Sequence, residues 1–213
     1  MLNASLCASD FAKMLSDSEQ DGFLGKKAVV VEVPAGQKIW KLSSYPVKKG
    51  RTGYLSPWWS SVTPFKEDTL GARGRYLEAV ANSVTLQAMV RFASAIRIDW
   101  NDIAEYQEVE LKEGAKCFWG QFQPQPSATP VFAGAQANKS VLDMSFAELN
   151  KATDQMVKNA AARKRVKDYV PDTLGGIEAW QMYIPNLAED NIKKNPSIPS
   201  HDMAALAIHF SVA

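Results

Sequence analysis

Apolar positions along this chain alternate with polar ones, run together, or recur every fourth residue, and each pattern predicts an element. Residues 28–33 are an apolar run closed by Pro34-Ala35-Gly36, and residues 38–43, Lys-Ile-Trp-Lys-Leu-Ser, alternate. Two strands joined as a hairpin across that turn are the expectation. Residues 44–64, rich in Gly, Pro, Ser and aromatics, predict a structured loop with a short strand at 53–56, ended by Pro57-Trp58-Trp59. From 75 to 96, Tyr76, Val80, Val84, Ala88, Phe92 and Ile96 recur at four-residue steps, which predicts one helix. Residues 105–111 and 116–123 predict strands on either side of Glu113-Gly114, and 124–134 a loop. A second helix opens with the capping box Ser145-x-x-Glu148, ends in Arg163-Lys164-Arg165, and stops at Pro171. The basic end complements the helix dipole. Residues 178–184 predict a strand ended by Pro185, and 204–212 a last apolar strand with His209 inside it. Residues 1–26, small and polar with a helical stretch at 10–15, predict a loosely attached leader or capping segment ahead of a single domain over 27–213.

Strands, helix, strands, helix, strands, with some hairpin-length connections, predict an α+β domain. Its sheet is expected to be mainly antiparallel and split, with two principal helices. The chain has no GxGxxG and no GxxxxGK[ST], so a doubly wound parallel sheet with a phosphate loop has nothing under it.

Composition narrows the function more than the fold. With 213 residues, 46% apolar and 22% charged, the chain can bury a full core without a metal or disulfide staple. Lys and Arg number 24 against 23 Asp and Glu, a balance that argues against a nucleic-acid coat. Cys7, Cys117, His201 and His209 match no metal-ligand spacing, so no metal is expected. The first residues have no basic n-region, and the chain has no 18-residue apolar run. The expectation is a protein without a membrane span, cytoplasmic or delivered into a target cell without a signal peptide. The cysteines then read as free thiols.

Three segments place polar groups among aromatics at strand ends: Ile39 to Ser43, Gly53 to Ser60, and Gly175 to Pro185. A cation, a hydroxyl beside an aromatic, and a strand amide beyond a Gly pair suit a nucleotide with a flat base. In order, the segments resemble the three motifs of the ADP-ribosyltransferase superfamily, including NAD-cleaving domains of bacterial polymorphic toxins. Lys41 occupies the place of that family's motif-one Arg, and Tyr54-Leu55-Ser56 is similar to the start of its aromatic-x-Ser-Thr-Ser strand. Ala179-Trp180-Gln181-Met182-Tyr183-Ile184-Pro185 is similar to its third motif, with Gln181 at the place of the catalytic Glu. The Gln ending behind Gly175-Gly176 resembles the tuberculosis necrotizing toxin group, and Trp119 to Gln125 is similar to the strand before the final motif there.

The resemblance implies an ADP-ribosyltransferase-like fold and a toxin or effector domain that cleaves NAD at the nicotinamide–ribose bond, by hydrolysis or by transfer. It implies Gln181 and Ser56 as catalytic residues, and Lys41, Tyr54, Trp58, Trp59 and Trp119 as NAD-binding residues. Its implied partners are NAD, a protein acceptor and a cognate immunity protein. Gln181 can hold a ribose hydroxyl but cannot act as a base, which favours water as acceptor. Two alternatives stand beside this one. One is a non-enzymatic binding or virion/assembly protein using exposed Trp as interface anchors. The other is a nuclease-like toxin, which would need Lys41, Arg91 and a His together.

Overall fold

The computed structural model describes residues 1–44, 46–48, 50, 52–96, 102–126, 173–175 and 179–211. In chain order these form α1 (Phe11–Met14), α2 (Asp17–Gln20), β1 (Val29–Val33), β2 (Lys38–Ser43), β3 (Trp58–Ser61), α3 (Gly71–Ala81) and α4 (Leu86–Ala93). There follow β4 (Glu105–Leu111), β5 (Ala115–Gln121), β6 (Gln125–Pro126), β7 (Thr173–Leu174), β8 (Trp180–Tyr183), β9 (Ile192–Lys194), β10 (Ile198–Pro199) and α5 (Met203–His209). The helix expected from Ser145, its basic end, Pro171 and residues 176–178 lie outside the described residues.

The fold is α+β, built on an open antiparallel sheet with the order β1-β5-β8-β3-β2-β4-β10; β9 also pairs with β4. Strand alternation gives the sheet two differently covered faces. On the first face Ile39, Trp59, Val109, Cys117, Trp119 and Met182 pack with Leu55, Ile184 and Leu187 from the loops. On the second, two separate covers meet the sheet. Helices α3, α4 and α5 pack on Trp40, Leu42 and Tyr106. The N-terminal segment packs on Phe118 and Tyr183, with Trp58 at its margin.

Several expectations change here. β1 and β2 do not form a hairpin: β1 pairs with β5, while β2 lies between β3 and β4. The turn after β1 is used differently, with Gly36 N–H donating to Leu111 O at 2.8 Å and Leu111 N–H to Gln37 O at 3.0 Å. The strand expected at 53–56 falls instead at Trp58–Ser61, where the backbone finds β2 and β8 as partners. The single helix expected over 75–96 is two, α3 and α4. Ser83 takes a left-handed φ of 56°, Asn82 Nδ2 caps the Glu78 carbonyl at 2.8 Å, and the Thr85 hydroxyl restarts the helix by accepting from Ala88 N–H. Of the two forms expected for residues 1–26, a loose leader or a capping segment, the packing is that of a cap: Leu6, Leu15 and Phe23 are buried, and the Leu2 carbonyl accepts from the Lys116 N–H of β5.

The last apolar run is helical. Asp202 accepts from Ala205 N–H at 2.9 Å as its N-cap, and Leu206 and Phe210, one turn apart, enter the core. A strand would turn Leu206 and Ile208 to the same side; the helix buries Leu206 and leaves Ile208 81% exposed. Leu206→Ala should therefore cost about 2–5 kcal/mol, and Ile208→Ala no more than about 0.5 kcal/mol. Urea unfolding of the two variants checks this, and equal losses would contradict the helix.

Candidate functional site

The three segments singled out in the sequence fall on three neighbouring strands, β2, β3 and β8, with β3 between the others. Their side chains divide between the two faces. Trp40 pairs with Ser60 across β2 and β3, and Trp59 pairs with Met182 across β3 and β8. One step further along that register sets Ser60 opposite Gln181, which pairs with Gly120 on β5. Trp40, Ser60, Gln181 and Gly120 thus form a row across the second face. Lys41 and Trp59, one residue out of phase with that row, belong to the first.

On the first face Lys41 Nζ stands 4.6 Å above the centroid of the Trp59 ring. Burial alone pulls its pKa down to about 8. Trp59 is buried, and its Nε1 donates to the Ser56 carbonyl at 2.8 Å. Trp119 is buried as well, stacked on Trp180 at 5.6 Å, with Nε1 donating to Glu67 Oε2 at 2.6 Å. Tyr54 is 44% exposed and Ser56 is exposed, both in the chain ahead of β3.

On the second face Gln181 is 2% exposed and donates from Nε2 to the Gly22 carbonyl at 2.7 Å. Its Oε1 accepts no hydrogen bond from any described residue. Gly22 therefore fixes the orientation of the amide. Beside it Gly120 is required by close approach, since a Cβ there would lie 2.7 Å from the Phe23 ring and 2.8 Å from the Lys27 carbonyl. Ser60 is half-buried, its hydroxyl directed at the Trp180 carbonyl 3.4 Å away. Trp58 packs edge-on against Tyr183 at 4.9 Å. The predicted residues thus separate into Lys41, Trp59 and Trp119 on one face, and Gln181 and Trp58 on the other. Ser60, and not Ser56, is the hydroxyl opposite Gln181. The Trp58-Trp59-Ser60-Ser61 run was its sequence signal, since Trp59 and Ser61 are buried while Trp58 and Ser60 are half-buried.

A second polar cluster went unread in the sequence. Glu108, 2% exposed on β4, accepts from Tyr106 Oη and His209 Nε2 at 3.0 Å each, from Asn195 Nδ2 at 2.9 Å and from Lys38 Nζ at 3.1 Å. Those four donors match the four lone-pair sites of a carboxylate. His209 is thereby bound to Glu108, while Arg91 is buried in α4 with Nη1 on the Ile96 carbonyl. The grouping of Lys41, Arg91 and a His that a nuclease would need is not formed. Among the described residues no group of three or more His, Cys, Asp or Glu could hold a metal ion, and no helix is long and apolar enough to cross a membrane.

Comparison with protein-family models, with curated proteins and with solved structures finds no match to this chain.

Glu108 generates a prediction of its own. Burial pushes its carboxyl up, but the bonds from Lys38, His209 and Tyr106 outweigh burial and hold it below its ordinary value. A depressed folded value means the stabilisation is full above the unfolded value and is lost as pH falls through the folded one. Glu108→Ala should cost about 3–5 kcal/mol at neutral pH. The stability difference between wild type and Glu108→Gln should shrink as pH falls below the ordinary carboxylate range. Denaturation at several pH values checks both, and a difference unchanged down to the lowest pH would contradict the account.

Proposed function

We propose that the chain is an NAD-cleaving toxin or effector domain of ADP-ribosyltransferase type, acting on the second face of the sheet at Ser60 and Gln181. One observation carries the reading: the third segment, distant in sequence from the first two, joins them on adjacent strands, and a hydroxyl and an amide from two of the three share one cross-strand row. The same proposal includes an ADP-ribosyltransferase-like form of the sheet, with NAD as substrate and a protein acceptor and a cognate immunity protein as partners.

Breaking the nicotinamide–ribose bond builds positive charge on the ribose carbon as nicotinamide leaves. The protein's work is to fix the sugar and admit one acceptor. Gln181 Oε1, oriented by the Gly22 carbonyl, would accept from a ribose hydroxyl, and Ser60 on the next strand would hold the neighbouring edge of the sugar. Neither residue is a base at neutral pH, so water is the acceptor this pair suits, giving nicotinamide and ADP-ribose. Lys41 has no part in this row, because its side chain lies on the other face. The interface alternative is less supported: among the described Trp residues Trp40, Trp59 and Trp119 are buried and Trp58 and Trp180 half-buried, so none is an exposed anchor.

Nicotinamide release from NAD, followed by chromatography, tests the reading. Wild type should release it, and Gln181→Ala should lose on the order of 10²-fold in rate while losing only about 1 kcal/mol of stability with the Gly22 bond. Gln181→Glu should retain NAD binding. No release by wild type at high protein concentration, or full turnover by Gln181→Ala, would overturn it.

A further inference from the structure

The sheet ends differently at its two edges. Beyond β4 the outer strands are short and carry residues that discourage further pairing: Pro199 in β10, and exposed Lys193 and Lys194 in β9. The opposite edge is β1, Val-Val-Val-Glu-Val, with no Pro and no Lys. β1 pairs with β5 on one side, and no described residue pairs with it on the other. The direction of its backbone groups follows from β5. Lys116 sends its N–H to the Leu2 carbonyl at 3.0 Å, away from β1, so the Glu32–Lys116 pair is a non-hydrogen-bonded one. Bonded and unbonded pairs alternate along an antiparallel ladder. Val29, Val31 and Val33 therefore bond to β5, while Val30 and Glu32 turn their N–H and C=O groups outward. Neither outward N–H has a partner among the described residues, and the Val29 side chain beside them is 58% exposed.

We propose that β1 is a docking edge for β1 of a second copy of this chain, paired antiparallel about Val30. The charges of the strand select that occupant. Exposed Lys26 and Lys27 precede β1, and exposed Glu32 lies near its end. Antiparallel self-pairing sets the basic start of each strand toward the acidic end of the other, whereas parallel pairing would align like with like. The register follows from the same rule. Centring on Glu32 would oppose two carboxylates, and centring on Val31 would set Glu32 against Val30. Centring on Val30 joins the two Val30 residues, sets Glu32 opposite the small Ala28, and lays Val29 against Val31 on the first face. The outward N–H and C=O groups of Val30 and Glu32 then gain partners, and the exposed Val29 gains an apolar neighbour. A single strand edge is a small interface, of the weak and reversible class. The proposal is independent of the NAD reading, since β5 separates β1 from the strand of Gln181.

Sedimentation velocity of the full chain at rising concentration tests it. The expected result is a reversible monomer–dimer equilibrium with Kd on the order of 10–100 μM. Amide exchange followed by NMR should show Val30 and Glu32 slowed at least about fivefold at the highest concentration relative to the lowest. Val30→Pro deletes an N–H that the folded monomer does not use, so it should fold and stay monomeric. Val29→Lys changes an exposed side chain and should weaken the dimer at least about tenfold. A chain that is monomeric throughout, a dimer that both variants leave intact, or a dimer in which Val30 and Glu32 stay unprotected would overturn the proposal.

Discussion

A buried carboxylate organises much of the second face. Glu108 draws donors from β2, from β4 itself, from the segment after β9 and from α5 onto two oxygen atoms. One of these contacts, from His209, holds α5 against the sheet, and Phe210, just after α5, closes over Tyr106 with the ring centroids 5.5 Å apart. Trp40 stacks on Tyr106 from the sheet side at the same distance. The helical cover is therefore fixed by polar as well as apolar contacts, and it ends at β2. On the far side Phe23 seats on Gly120 and packs on Trp58 of β3 with the ring centroids 5.3 Å apart, and Gly22 takes the Gln181 amide, so the N-terminal cover reaches β3. Gln181 lies beneath this cover, 2% exposed, with half-buried Ser60 beside it on the next strand.

The consequence for chemistry is one of phase. Consecutive strand residues face opposite ways, so Trp58 and Trp59 serve different cores, and Lys41 cannot share a surface with Gln181. A cation for a diphosphate and an amide for a ribose are thus not brought together by these two residues. Each face carries polar groups within an apolar lining: Gln181 and Glu108 on the second, Lys41 above Trp59 and Gln107 opposite Lys41 on the first.

Much of the sheet was legible from residue pattern. Residues 38–43 and 105–111 were bounded correctly because both strands are interior and alternate between two cores. The partners of each strand were not legible. Pro34-Ala35-Gly36 looks like a hairpin turn, but the strands it joins pair with β5 and β4, a choice made by distant sequence. The terminal helix was hidden because Ala204, Ala205 and Ala207 blur a period of four into an apolar run, although Asp202 was a readable cap. The strand of Gln181 could be found from Pro185 and its apolar neighbours. The side chain it would face could not, since that depends on the register of three strands at once. Glu108 was invisible for a similar reason: its four partners come from positions 38, 106, 195 and 209.

The proposed nucleotide-binding surface is the Ser60–Gln181 row on the second face of the sheet. Titrating NAD into protein labelled with nitrogen-15, and following the Gln181 side-chain amide by NMR, tests it most directly. The account predicts a saturable shift of that amide and of the Ser60 backbone N–H, with the Trp59 indole N–H unmoved. A Gln181 amide that stays in place while NAD saturates, or shifts confined to the Trp59 side of the sheet, would contradict it.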